Sequence, residues 1–306
     1  MGPRRLWYSP GYTLRWPGHV FPVRKYERLH DRLLAEGVAR SEDFGEPRPL
    51  GRRTLLLGHD RAYLDRLEAM TADPAQGWLE FEAPCTPEVL AAFLLMAGGT
   101  LEAARVAVAH GGFTANLGGG FHHAFPYKGE GFCAINDVVV ALRALLHEGL
   151  VDRAAVVDLD VHQGNGTAVA FADEPRVFTL SLHQENNYPV KQRSDLDVGL
   201  PDACSDEAYL TALAGALPAV QAHDPRLVVY VAGADPYRGD RLGGLDLGFE
   251  GLASRDRMVY EAFLDRGVPV VATLAGGYAE HEADVVEIHF RMIRAGLERA
   301  ASRNSP

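Results

Sequence analysis

Asp160 and His162 stand two residues apart in the run Val156-Val157-Asp158-Leu159-Asp160-Val161-His162-Gln163-Gly164-Asn165-Gly166-Thr167. The apolar stretch 154–157 leading into them predicts a buried parallel strand, and the glycines and asparagine after them predict a turn. Residues two apart on extended backbone leave the same face, so a carboxylate and an imidazole would lie side by side. They would supply two ligands to a divalent metal. Taken alone, such a pair is more often the turn and cap chemistry that follows a core strand.

The same pattern recurs at the ends of other apolar runs. One run leads to Gly118-Gly119-Gly120-Phe121-His122-His123, another to Ser181-Leu182-His183, a third to Ala232-Gly233-Ala234-Asp235, and the last to Ala275-Gly276-Gly277-Tyr278. In a parallel sheet these ends share one rim, where open α/β sheets bind ligands. Asp235 would then join Asp160 and His162 as a third ligand, leaving positions open for water and substrate. Adjacent histidines can serve as base and acid, and a tyrosine hydroxyl can donate to a developing oxyanion. The parts suit metal-assisted hydrolysis of an amide.

Positioning these residues requires strands alternating with helices. Helical spacing covers 25–36, and His59-Asp60 opens a helix through 70. Thr86-Pro87-Glu88 caps a long helix running towards 108. A further helix covers 136–147. Strands are expected at 53–57, 153–159, 176–182, 226–232 and 269–275, and helices at 166–172, 206–218, 249–265 and 281–297. Residues 1–21 and 71–86 read as loop, and 300–306 as a frayed tail. The expected fold is α/β: one domain over residues 1–306, a mostly parallel sheet with helices on both faces.

The chain has 306 residues, 47% hydrophobic and 23% charged, as in ordinary globular proteins. A net charge of -11 argues against nucleic acid as partner while leaving basic ligands open. Three cysteines (Cys85, Cys133, Cys204) without a C-x-x-C predict free thiols in a reducing cytoplasm. No apolar run is expected to cross a bilayer, and no signal peptide is visible.

The segments Gly119-Gly120-Phe121-His122-His123, Gly131-Phe132-Cys133, Asp158 to Gly166, Gly233-Ala234-Asp235 with Gly239-Asp240-Arg241-Leu242-Gly243, and Gly276-Gly277-Tyr278 resemble the histone deacetylase family of zinc amidohydrolases. The resemblance runs from about Tyr8 to about Arg291, and the D-x-H-Q-G-N-G form is most similar to class IV members and their bacterial relatives. It implies the arginase/deacetylase fold, with Zn2+ (or Fe2+) on Asp160, His162 and Asp235. It implies His123 as general base and then acid, and His122, held by Asp158, as transition-state stabiliser. Tyr278 would polarise the acyl carbonyl. Gly131, Phe132, Tyr188, Gly276 and Gly277 would line the channel for an acyl-lysine stem. A structural K+ or Na+ is implied near Asp158, Asp160, His162, Ser181 and Leu182, and a second near Phe171 and Val177.

The chain departs from better-known members in three places. Gln163 replaces a histidine, Asn165 faces His123 where class I members carry Asp, and Leu274-Ala275 interrupts a glycine run. His19 and His59 are expected near the rim, His183 as a brace, and Asp240 with Arg241 as a structural pair or loop anchor. Glu82 reads as a solvated loop charge, with a place at the rim touching a substrate backbone as the alternative. The expected substrate is an acylated lysine peptide or protein. Small acylated amines such as acetylpolyamines are the alternative, and longer acyl chains remain open. A two-manganese ureohydrolase lacks its D-A-H-x-D run here, and a non-catalytic acyl-lysine binder would need a broken site, whereas the ligands, the histidine pair and Tyr278 are all present.

Overall fold

The computed structural model describes residues 4–14, 16 and 18–302. Eight strands form one parallel sheet: β1 (Leu6–Trp7), β2 (Phe44–Gly45), β3 (Phe113–Asn116), β4 (Ala154–Asp158), β5 (Val177–Gln184), β6 (Leu196–Leu200), β7 (Val228–Val231) and β8 (Val270–Thr273), in the order β2-β1-β3-β8-β7-β4-β5-β6. The helices are α1 (Lys25–Ala35), α2 (Arg52–Leu55), α3 (Arg61–Met70), α4 (Gly77–Phe81), α5 (Pro87–His110), α6 (Asp137–His147), α7 (Asn165–Phe171), α8 (Asp206–Ala222), α9 (Phe249–Phe263) and α10 (Glu282–Ser302).

The interior strands are apolar because both faces are covered. Val156, Val229, Val231 and Val271 pack into one buried cluster with residues of α5 and α6. Their neighbours Val157, Val228, Tyr230, Val270 and Ala272 pack into the other, with α1, α8, α9 and α10. Alternate side chains thus enter opposite layers, which removes the in-and-out polarity of a half-exposed strand. Each fully buried Val or Leu contributes roughly 1.5–3 kcal/mol, so the central strands are the firmest platform available for a site at their ends.

Helix α5 begins where the Thr86 hydroxyl accepts the Val89 N–H and Pro87 fills the first turn; it ends at Gly111, φ 66°. Contrary to expectation, it is long and apolar enough to cross a bilayer, with a mean hydropathy of 1.5 over its best window. Two-thirds of that window is buried inside the protein (67%), so the apolar surface serves the core.

Other expectations change. Residues 53–57 form no strand: Arg52–Leu55 is a short helix, and the sheet edge is occupied by β2 instead. Only Leu55 of that helix is buried, because Arg-Arg-Thr-Leu lacks the alternation that strand pairing needs. The loop at 1–21 contains β1, and 71–86 contains α4. Residues 300–302 continue α10, while 303–306 lie outside the described residues, as do 1–3, 15 and 17.

Candidate active site

The expected ligands meet beyond the ends of β4 and β7. Asp160, His162 and Asp235 are all buried, and one ligand atom from each lies within 4.8 Å of the others. Backbone contacts fix each carboxylate. Asp160 Oδ1 accepts the His162 N–H at 2.9 Å and its Oδ2 the Gly276 N–H at 2.8 Å. Asp235 Oδ1 accepts the Val161 N–H at 2.9 Å. Asp235 Oδ2 is buried with no hydrogen-bond partner.

The electrostatics call for a cation there. Burial would lower the His162 imidazole, but the Asp160 and Asp235 carboxylates push it up to about 10. Burial and the neighbouring Asp160 push Asp235 up to about 7. Two buried carboxylates beside one imidazole need positive charge near them, which a proton on His162 or a bound metal ion supplies. The glycines leave the room. A Cβ on Gly276 would stand 1.9 Å from Asp235 Oδ2, and one on Gly233 would stand 2.5 Å from Asp160 Oδ2. This donor set of two carboxylates and one imidazole fits a divalent ion with open positions.

Beside the ligands, His122 and His123 are oppositely poised. His122 Nδ1 lies 2.6 Å from Asp158 Oδ2. Burial would lower His122, but Asp158 and Asp160 outweigh it and raise it to about 9. His123 Nδ1 lies 2.8 Å from Asn165 Oδ1, an uncharged partner. Burial first, then the charges at His122 and His162, hold His123 well below its ordinary value. One imidazole is thus held charged and its neighbour neutral. The loop before them is tied down by Asp137, whose carboxylate accepts the Gly120 and Phe121 N–H groups at 3.0 and 2.8 Å.

Tyr278 is buried, its ring centroid 6.5 Å from that of His162. Burial, then Asp235 and Asp160, hold its hydroxyl well above its ordinary value, so it stays a donor. Three side chains fix the backbone of its loop. Asp240 Oδ2 accepts the Tyr278 N–H at 2.6 Å, the Arg241 guanidinium donates to the Tyr278 carbonyl at 3.0 Å, and Lys25 Nζ donates to the Ala275 carbonyl at 2.5 Å. Ala275 takes a left-handed φ of 49°, so the interrupted glycine run keeps a glycine-like bend. Asp240 and Arg241 are loop anchors rather than an ion pair with each other.

A channel of about 250 Å³ leads in, lined by Glu82, His123, Gly131, Phe132, His162, Asn187, Tyr188, Leu242 and Tyr278. A narrower cavity of about 20 Å³ continues past His122, His123, Gly276 and Tyr278 towards Phe21, Phe121 and Cys133. Gly276 belongs to this inner cavity, whereas Gly277, φ 136°, packs at Ala234 and Val285 and lines neither space. Glu82 is exposed as expected, yet it stands at the channel mouth, where the Tyr188 hydroxyl donates to it at 3.4 Å. His19 is at the rim, edge-on to Phe132 at 4.7 Å. His59 is not: it is buried, with its ring nitrogens engaged by the Phe125 carbonyl and the Asn136 N–H.

Asp158 and Ser181 are register partners on β4 and β5, with Leu182 buried beside Ser181. The Ser181 hydroxyl lies 3.0 Å from His183 Nδ1, which braces it. Lys25, Asp137, Leu242 and Asn187 were absent from the expected site. For Lys25 a signal existed: it continues the Leu29 and Leu33 stripe of α1, a position where a solvated lysine does not belong.

Comparison with known proteins bears on the chain as a whole. Residues 19–292 match the histone deacetylase domain. An uncharacterized protein of Picosynechococcus sp. is 42% identical over 95% of this chain and 97% of its own length. Histone deacetylase 2 of Arabidopsis thaliana is 30% identical over 91% of this chain and 76% of its own. The crystal structure of an HDAC homolog complexed with SAHA superposes with a TM-score of 0.83 at 27% identity, covering 97% of this chain and 84% of that one. The chain belongs to the histone deacetylase family of amide-bond hydrolases.

Proposed function

We propose that this chain is a single-domain zinc deacetylase that removes acetyl groups from acylated lysine side chains. The convergence of Asp160, His162 and Asp235 with the oppositely poised His122 and His123, at the base of a channel, carries the reading. Zinc held by the three ligands would supply Lewis acidity and a water activated near neutral pH.

The protein's own groups do the rest. Neutral His123 accepts the proton of the attacking water and later returns it to the leaving amine, an effect worth roughly 10²–10⁴-fold. His122, kept charged by Asp158, faces the negative charge that develops on the acyl group. The Tyr278 hydroxyl donates to the same oxygen. Phe132 and Tyr188 flank an extended methylene stem. The inner cavity of about 20 Å³ holds a methyl-sized group, which favours acetyl over longer chains. A structural K+ near Asp158, Asp160, His162, Ser181 and Leu182 belongs to the same reading.

One observation favours a second substrate. Glu82 sets a carboxylate at the mouth of a protein of net charge -11, a setting that also suits a cationic acetylpolyamine. Zinc-loaded protein assayed against acetyl-lysine peptides, longer acyl-lysine peptides and acetylpolyamines separates the readings. Preference for acetyl-lysine is expected. A higher kcat/KM for a polyamine or a long acyl chain would overturn it.

A further inference from the structure

His123 faces an amide, and an amide can turn either way. With Asn165 Oδ1 towards His123, the ring must carry its proton on Nδ1, leaving Nε2 with a lone pair for the reacting water. With Asn165 Nδ2 towards it, Nδ1 becomes the acceptor and Nε2 carries the proton, so the ring cannot act as a base there. The carboxylate found at this position in class I members has no such ambiguity. Something must therefore choose the orientation of Asn165.

We infer that Glu130 is the positioning residue that makes this choice. Glu130 Oε1 lies 2.7 Å from Asn165 Nδ2, on the side of the amide away from His123. An ionised carboxylate only accepts hydrogen bonds, so it turns the NH2 group towards itself and the oxygen towards His123. Its own place is fixed twice. Its backbone is bridged to Cys133, with Glu130 N–H to Cys133 O at 3.2 Å and Cys133 N–H to Glu130 O at 2.9 Å. Its second oxygen pairs with the Lys128 ammonium, which lies over the Phe125 ring. Asn165 is buried, at 1% exposure, so water does not compete for the amide. The bridge also carries Gly131 and Phe132, so the residue that orients the base lies on the turn that forms the channel wall. Glu130 lines neither the channel nor the inner cavity, and it acts only through Asn165.

This inference rests on the general-base role proposed for His123, and its test separates the two. Wild type, Glu130→Ala, Glu130→Gln, Asn165→Asp and the Glu130→Ala/Asn165→Asp double variant are assayed, zinc-loaded, on an acetyl-lysine peptide. The His123 tautomer is read from 15N chemical shifts in metal-free wild type and Glu130→Ala. Glu130→Ala is expected to lower kcat about tenfold with KM within about twofold, the scale of one charge-assisted hydrogen bond. Glu130→Gln, whose amide can turn either its oxygen or its NH2 to Asn165 while Lys128 competes for the oxygen, no longer fixes the choice and loses rate as Glu130→Ala does. In the Asn165→Asp background, losing Glu130 costs nothing or raises kcat, because two carboxylates no longer face each other. Metal-free wild type shows the Nδ1–H tautomer and Glu130→Ala a mixture. An equal loss in both backgrounds, or an unchanged tautomer in Glu130→Ala, would overturn the inference. A wild type that leaves the peptide intact defeats the deacetylase reading instead, and the tautomer measurement then decides Glu130 alone.

Discussion

Two neighbouring histidines of identical chemistry are driven apart by what stands behind each ring. Behind His122 is the Asp158 carboxylate at 2.6 Å, behind His123 the Asn165 amide at 2.8 Å. The charged partner holds a proton, and the neutral one lets burial prevail. Tyr278 completes the set as a donor. Tyr278→Phe keeps the ring and its packing and removes only the hydroxyl, so metal binding should persist while kcat falls roughly 10²–10³-fold. Steady-state kinetics beside a zinc-binding isotherm checks this, and full activity in the variant would remove Tyr278 from the chemistry. The metal-ligand candidates were legible in sequence because Asp160 and His162 share a strand-end pattern with Asp235. Asp137 was not, because it acts on the distant Gly120 and Phe121 backbone, whereas Lys25 was marked only by its place on the buried stripe of α1 and Asp240 only as a loop anchor, without their targets at Ala275 and Tyr278. Nothing local in sequence marks such a partner.

The loops after β3, β4, β7 and β8 hold these groups, and their shape depends on glycines and buried braces. At Gly276 a Cβ would stand 1.9 Å from Asp235 Oδ2 and 2.7 Å from Asp160 Oδ2. Gly276→Ala should therefore weaken zinc binding by at least about 1–3 kcal/mol while the fold persists. Calorimetry with circular dichroism checks both halves. The His59 brace is pH-sensitive. Burial pushes its imidazole down to about 4, from an ordinary 6.5. Between those values the unfolded chain binds a proton that the folded chain excludes, so stability is full above pH 6.5 and falls as pH drops to 4, by up to about 3 kcal/mol. His183, also lowered to about 4, acts in the same direction. Urea melts across this range should show a steep slope in wild type and a shallower one in His59→Gln. β4, β5, β7 and β8 were legible as apolar runs. β1 and β2 were not, at two residues each, and β6 was hidden because Asp197 and Gly199, poor strand formers, interrupt the half-buried Leu196 and Val198 and the buried Leu200 at the sheet edge.

Across the whole molecule, a parallel sheet buried on both faces delivers polar groups from four separate strand ends to one channel, although β4 and β8 are not adjacent in the sheet. The architecture was legible from alternation alone, whereas the channel was only partly so: Leu242 and Asn187 reach it from loops whose course no periodicity encodes. The central claim is that a single divalent ion on Asp160, His162 and Asp235 drives amide hydrolysis. The most direct measurement strips the protein with a chelator, returns Zn2+ stepwise, and follows acetyl-lysine turnover and Tm together. Both should rise in parallel and saturate at one ion per chain, with stabilisation of about 2.7 kcal/mol at a hundredfold excess over Kd. Asp235→Asn should lose both responses. Full turnover in the stripped protein, or a titration that Asp235→Asn leaves unchanged, would contradict the account.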